Sequence, residues 1–319
     1  MMAFEKSPDY YLQALFKANQ SKSAETLFHR VEHAGFGAIT SRLMTGLNIS
    51  LALDANYSYL IDSPYVVEEM FDIGVKQSIE IAKHQELIEW DFMRDTWNAQ
   101  PQIKADHQYP ASPIKECAEL SRHQWCAVLA QAICGAPSAT LYKEIDALKN
   151  RIHWNSYDVH IGLHVRRGDK NSECPYVPNE SYLREVRGLI FKNPQKKILV
   201  FLSSDDPNAI EHIQTGLIGV DVRWDDCEAR YNNFNAGMVA ANPELALQES
   251  ITAAKNISLL GECNYVIGMR HAQFTWLGGL LAVFNHGLDA SIHIMLDPYT
   301  GFRSHWAILY GFPLSTLLL

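Results

Sequence analysis

The sequence has no apolar run of about 18 residues, so no membrane-spanning helix is expected. It has no CxxC pair. The six cysteines (Cys117, Cys126, Cys134, Cys174, Cys227, Cys263) are scattered, which argues against a zinc site or a dense disulfide framework and leaves reduced thiols as the default. Positive charge is in deficit: the net charge of −9 does not suit a sequence-independent nucleic-acid binder. Internal repeats and low-complexity segments are missing. The opening stretch MMAFEKSPDYYLQALFKANQSKSAE lacks a charged segment followed by an apolar one, so no signal peptide is read and a cytoplasmic location is expected unless a leader has been trimmed. Without such a signal, the Asn-X-Ser sequons at Asn48, Asn56, Asn179 and Asn256 carry little weight. Apart from Asp205-Asp206 and Asp225-Asp226 there is no paired-aspartate motif with ligand spacing, so neither a metal nor another cofactor is expected.

What is present suits a soluble α/β protein. With 319 residues, 47% of them hydrophobic and 20% charged, the chain can bury a sizeable core, and two domains are expected, 1–150 and 151–319. Residues 9–20 read as a short helix and 27–33 as a strand. Gly35 and Gly37 mark a tight turn, Ile39, Leu43 and Leu47 a helix, and 50–55 a second strand. That succession is a βαβ unit of a parallel sheet. Residues 64–135 read as helix-rich, with 116–133 the longest periodic segment. Beyond residue 150 strands are expected at 157–165, 197–204, 219–224, 263–269 and 291–296. Helices are expected between them near 179–192, 206–215, 246–260 and 274–285, which makes a second open α/β domain.

In such sheets ligands bind beyond the carboxyl ends of the strands, near the point where strand order reverses. HVRRGDK (164–170), SSDD (203–206) and MRHAQ (269–273) all fall at strand ends of that kind. A local basic cluster in an acidic chain suggests a small anionic ligand. The guanidinium fork of Arg166 or Arg167 suits a diphosphate, although a surface salt bridge to Asp169 or Glu173 is the commoner use of such a pair. Asp205 and Asp206 read first as turn and helix-cap residues, with Ser204 the better ligand candidate. Gly35 and Gly37 permit close backbone approach to a ligand. Of the aromatics Tyr57, Tyr59, Trp154, Trp224 and Trp276 most read as core. Tyr57 and Tyr59 are the acceptor-side candidates.

HVRRGDK resembles the HxRRxD signature of the fucosyltransferase superfamily, and its lysine resembles the α1,6 branch, the animal core and rhizobial chitooligosaccharide enzymes. GFGAITSRL with LALDANYSYLID (35–62), LSSDDP (202–207) and LLGECNYVIGMRHAQFTWLGGLL (259–281) resemble further family motifs, in family order, across about residues 27–285. The resemblance implies a GT-B fold, two Rossmann-like domains facing a cleft. It also implies an inverting, metal-independent transfer of fucose from a GDP-fucose donor to an oligosaccharide or glycoconjugate acceptor.

Carried over by position, Arg166 would contact the β-phosphate and Arg167 would be partly structural. His164 would lie near nucleoside or phosphate unless it is a satisfied strand-end histidine, and Asp169 and Lys170 would pair. The general base would be Glu173, one residue nearer the lysine than in the α1,6 enzymes, or else Asp169. His271-Ala272-Gln273 stands where those enzymes have Ser-Ser-Gln, with Gln273 keeping a donor contact. Asn256 stands where an aspartate would read guanine, and an amide cannot accept from two N–H groups as a carboxylate does. QFTWLGG is closer to the α1,2 enzymes. A different nucleotide sugar, an α1,2 or protein O-linkage, and an inactive glycan- or nucleotide-binding relative remain open.

Overall fold

The computed structural model describes residues 6–20, 25–31, 34–75, 86–91, 114–230, 238–239 and 241–304. Two parallel sheets organise them. In the first, β1 (Glu25–Val31) lies between β2 (Asn56–Ile61) and β3 (Glu86–Asp91). Helix α1 (Pro8–Asn19), capped by Ser7, precedes β1, and α2 (Phe36–Ala52) carries the chain from β1 to β2. Helix α2 is buried along most of its length because it packs against β1 and β2 and also against helices that follow. This explains the one misread strand of the first unit. Residues 50–55 finish α2 and then turn, with Asp54 in the left-handed region (φ 53°), and the strand starts at Asn56. A short apolar run suits a buried helix as well as a strand.

The single turn α3 (Val67–Met70) follows β2. The expected helix-rich segment 64–135 also holds β3, and its residues 76–85 and 92–113 lie outside the described residues. The helix expected from residue 116 starts later. Lys115–Cys117 form a 3-10 turn, and a reciprocal Ser121–Gln124 capping box opens α4 (Arg122–Cys134). Helix α5 (Ala139–Arg151), capped by Ser138, has no counterpart in the sequence reading.

The second sheet contains β4 (Val159–Val165), β5 (Ile198–Ser204), β6 (Asp221–Arg223), β7 (Tyr265–Met269) and β8 (His293–Leu296), in the parallel order β6-β5-β4-β7-β8. Strand order reverses at β4, between β5 and β7. The connecting helices are α6 (Asn179–Lys192), α7 (Pro207–Gly216), α8 (Pro243–Glu262) and α9 (Gln273–Asn285). One face of this sheet presents Ile161, Leu163, Val165, Val200 and Leu202 to α6 and α7. The other presents Leu199, Phe201 and Val266 to α8 and α9, in a core that continues into α2, α4 and α5. Gly162 allows that approach: a Cβ there would lie 2.8 Å from the Leu260 side chain on α8.

All six cysteines are free, and only Cys227 is exposed. Of the sequon asparagines, Asn48, Asn56 and Asn256 are buried. The amide oxygen of Asn48 accepts from Trp125 Nε1 at 2.7 Å.

Candidate active site

The reversal at β4 gathers three strand-end loops. Val165 pairs with Ser204 and His164 with Gly268, so the loops after β4, β5 and β7 emerge side by side. The first loop turns at Gly168 (φ 52°), where a Cβ would meet an Asp205 carboxylate oxygen at 2.8 Å. Left-handed backbone and lack of room both demand glycine.

The two arginines divide their roles. Arg167 is buried, 7% exposed. Its guanidinium donates to Val177 O (3.0 Å), Arg166 O (3.2 Å) and Asn179 Oδ1, and lies 5.0 Å from the Tyr176 ring centroid. It organises the chain between β4 and α6. The side chain of Arg166 is 33% exposed, paired with Asp205 and, at 2.5 Å, with Asp169. Asp205 also accepts from Arg167 N at 2.8 Å, so one carboxylate sets both the loop backbone and the Arg166 fork. Nothing in the sequence reading foresaw that use of Asp205. Asp206 does cap α7, accepting from Asn208 N. Ser204 donates to Val165 O at 2.7 Å and accepts from Asp206 N, and is spent on the main chain.

His164 Nδ1 is 2.8 Å from Thr275 Oγ1, and its ring stacks on Phe274. Burial, reinforced by Arg166, pushes its pKa down to about 3, so it is neutral near pH 7. This is the satisfied strand-end histidine. The expected Asp169–Lys170 pair is not formed. Asp169 goes to Arg166, whereas Lys170 pairs with Glu173 at 2.5 Å, because the 3-10 turn at 168–172 brings residues three apart onto one face. Asp169 and Glu173 side chains are both 62% exposed. His271 is half-buried beside this loop. Burial, then Arg270 and Lys170, lower its pKa, and its Nδ1 has no partner among the described residues.

Across from these loops stands the glycine turn of the first unit. A Cβ on Gly37 would lie 3.0 Å from Gln273 Cβ and 3.0 Å from the Phe274 ring, and Ser41 Oγ donates to Gln273 Oε1 at 2.8 Å. The starts of α2 and α9 therefore meet. Their caps, Gly35 and Ala272, provide no side-chain hydrogen bond, and the first turn of α9 lies against His164, two residues before Arg166; uncapped helix starts favour an anion. Tyr57 and Tyr59 are not at this surface. Both are fully buried, Tyr57 OH lying 3.0 Å from His29 Nδ1, and this corrects the acceptor-side expectation.

Beyond β5 and β6, Asn256 donates from its amide nitrogen to Glu228 Oε1 (2.6 Å) and Thr252 O (3.0 Å). A carboxylate from the loop after β6 thus adjoins the position where α8 lacks one. Burial raises the Glu228 pKa despite nearby Lys255. Arg230 braces the loop through Ser204 O, Asp225 O and Glu228 O. Asp225, Asp226 and Cys227 sit close enough together for a cation, but Asp225 is already paired with Lys255 and Arg151 and accepts from Cys227 N. Burial alone would raise its pKa; Lys255 and Arg151 outweigh that and hold it low. The cluster is an internal ion-pair network. Glu228 and Arg230 escaped the sequence reading, as did the bracing use of Asp205. Only the acidic run at 225–228 offered a signal.

No family profile and no curated protein sequence matches the chain. Among solved structures, an arginine-to-lysine mutant of Arabidopsis thaliana FUT1 in complex with GDP is 12% identical, with 86% of this chain and 72% of that chain covered at a TM-score of 0.50. Fucosyltransferase NodZ from Bradyrhizobium is 19% identical, covering 80% and 92% at a TM-score of 0.48. POFUT1 in complex with GDP-fucose is 10% identical, covering 83% and 96% at 0.46. At such identities the likeness is one of fold, and it agrees with the two facing parallel-sheet units: the chain has the GT-B architecture.

Proposed function

We propose that the protein transfers fucose from GDP-fucose to a hydroxyl of a glycan, by an inverting reaction that needs no divalent cation. The observation that carries this reading is the partly exposed Arg166 fork, held by Asp205 at the strand-order reversal beside two helix starts without side-chain caps. The GDP complex of the FUT1 neighbour supports a guanosine diphosphate at a site of this architecture. Residues 151–319 would hold the donor and residues 1–150 much of the acceptor side. As the bond between the anomeric carbon and the diphosphate breaks, negative charge develops on the departing phosphate oxygen. Arg166 and the first-turn N–H groups of α2 and α9 would stabilise it without reorganising. Asn256 and Glu228 would face the base, the carboxylate accepting what the amide cannot. The HVRRGDK lysine favours an α1,6 linkage.

Thermal shifts with GDP, GDP-fucose, GDP-mannose, UDP and UDP-sugars, without added metal, test the reading. GDP and GDP-fucose should stabilise by about 2.7 kcal/mol at a hundredfold excess over Kd, and Arg166→Ala should remove the effect. A UDP-selective shift would point to another donor, the second reading that Asn256 keeps open. Silence across the panel would point to an inactive relative.

A further inference from the structure

Neither carboxylate expected to act as base is well placed to take a proton. Asp169 and Glu173 are exposed, and each already neutralises a cation. A different carboxylate stands where the two units meet. Helix α8 is tied to the loop before α3 because Ser250 Oγ accepts from Val66 N at 3.1 Å while donating to Ala246 O at 2.7 Å. This bond sets Glu249 beside Tyr65. The Tyr65 ring meets the edge of Phe36, which opens α2 within the glycine turn (centroids 6.2 Å apart). Tyr65 also lies within electrostatic reach of Glu249, Arg166 and Asp169. Tyr65 thus links Glu249 on α8 to the loop that carries Arg166, at the place where the two units meet. Asn256 lies seven residues further along α8, on the same face.

Glu249 is half-buried and, among the described residues, has neither an ion pair nor a hydrogen-bonded partner. The ionisable groups around it are Glu228 on the loop after β6, Tyr65 on the loop before α3 and, beyond Tyr65, Arg166 and Asp169. Burial and then Glu228 push its carboxyl up to about 7. Such a group is poised to accept a proton near neutral pH and has no cation to give up.

Resting on the proposed transfer reaction, we infer that Glu249 is its general base. The acceptor hydroxyl gives its proton to the Glu249 carboxylate as its oxygen bonds to the anomeric carbon of the donor sugar. The bond from that carbon to the diphosphate breaks, its electron pair leaves with GDP, and the proton passes from Glu249 to solvent.

The test follows GDP release from GDP-fucose, with a chitooligosaccharide as acceptor and with water alone, for wild type, Glu249→Gln and Glu249→Asp across pH 5.5–9. The thermal shift with GDP is measured beside it. Glu249→Gln should keep the GDP shift yet lose about 100-fold or more in kcat, along with the acid limb of the kcat profile. Glu249→Asp should keep that limb at reduced rate. In a carbon-13 titration of glutamate carboxyls, a signal titrating near neutrality should vanish in Glu249→Gln. A Glu249→Gln kcat within about threefold of wild type, an unchanged acid limb, or loss of the GDP shift would overturn the role. A wild type that neither binds GDP nor consumes GDP-fucose would instead overturn the proposed function, and the role with it.

Discussion

Arg166 and Arg167 are adjacent and chemically identical, yet one is partly open and the other is walled in by Val177, Asn179 and Tyr176. What separates them is the alternation of a strand end combined with a glycine turn. Gly168→Ala tests how tightly that turn is held. The left-handed backbone costs about 1–2 kcal/mol with a Cβ, and the close approach to Asp205 adds to it. We expect a loss of about 2 kcal/mol in urea unfolding and a larger relative loss of GDP-dependent stabilisation, because the displaced group is the one that holds Arg166. The placement of both arginines at a strand end, and the structural part played by Arg167, were legible in the sequence. The use of Asp205 was not, because it depends on the Val165–Ser204 register, which sets side by side two residues far apart in the chain. Glu249 was hidden for the same reason: a lone glutamate in an amphipathic helix reads as a solvated face until the loop against it is known.

At the level of elements, the second sheet was readable almost throughout, because buried parallel strands and amphipathic helices alternate in sharply different periods. Helix α6 runs over 179–192 as expected, and β4 is shorter than expected only at its start. Helix α5 carried an available signal, a serine cap before Leu141, Ile145 and Leu148, and went unread. The short β3 strand lies in a segment whose composition gives no clear period. Contacts between elements set a pH dependence. His123 at the start of α4 and His293 on β8 are buried with ring nitrogens 3.1 Å apart. Burial lowers the pKa of His123 to about 4, and that of His29, like His164, to about 3, from an ordinary 6.5; His293 is also lowered, by burial and then by His123. Between the folded values and 6.5 the unfolded chain binds more protons, so this contribution is fully present above 6.5 and is lost as pH falls. Each histidine costs at most about 1.4 kcal/mol per pH unit. Glu249, raised from 4.5 to about 7, and Glu228, also raised by burial, act in the opposite sense, two carboxylates against the four histidines. Urea unfolding at pH 7.5, 6.5 and 5.5 should show stability falling with acidity, and His123→Phe should reduce the slope.

For the whole molecule, the informative feature is that one apolar core runs from α1, α2 and α4 through α8 and α9 to the second sheet. Two sheets with a shared core are not independent folding units. Calorimetry should therefore show one transition with van't Hoff and calorimetric enthalpies in agreement. Residues 1–150 alone should fail to fold, because the partners of α2 and α4 on α9 would be missing. Two resolved transitions, or a folded fragment, would contradict this. The presence of two sheets was legible from the change of period near residue 150. The extent of the core shared between them was not, since apolar periodicity marks which face is buried and not what lies against it.

The buried asparagines bear on where the chain can be made. Oligosaccharides are attached to Asn-X-Ser in the endoplasmic reticulum while a chain is still unfolded. A sugar tree on Asn48, where the amide belongs against Trp125, or on Asn256, where it belongs against Glu228, would have no space in the finished protein. A secretory host would thus modify the nascent chain at the sites that must later close. Production without such modification, or with the sequon serines replaced, avoids that conflict.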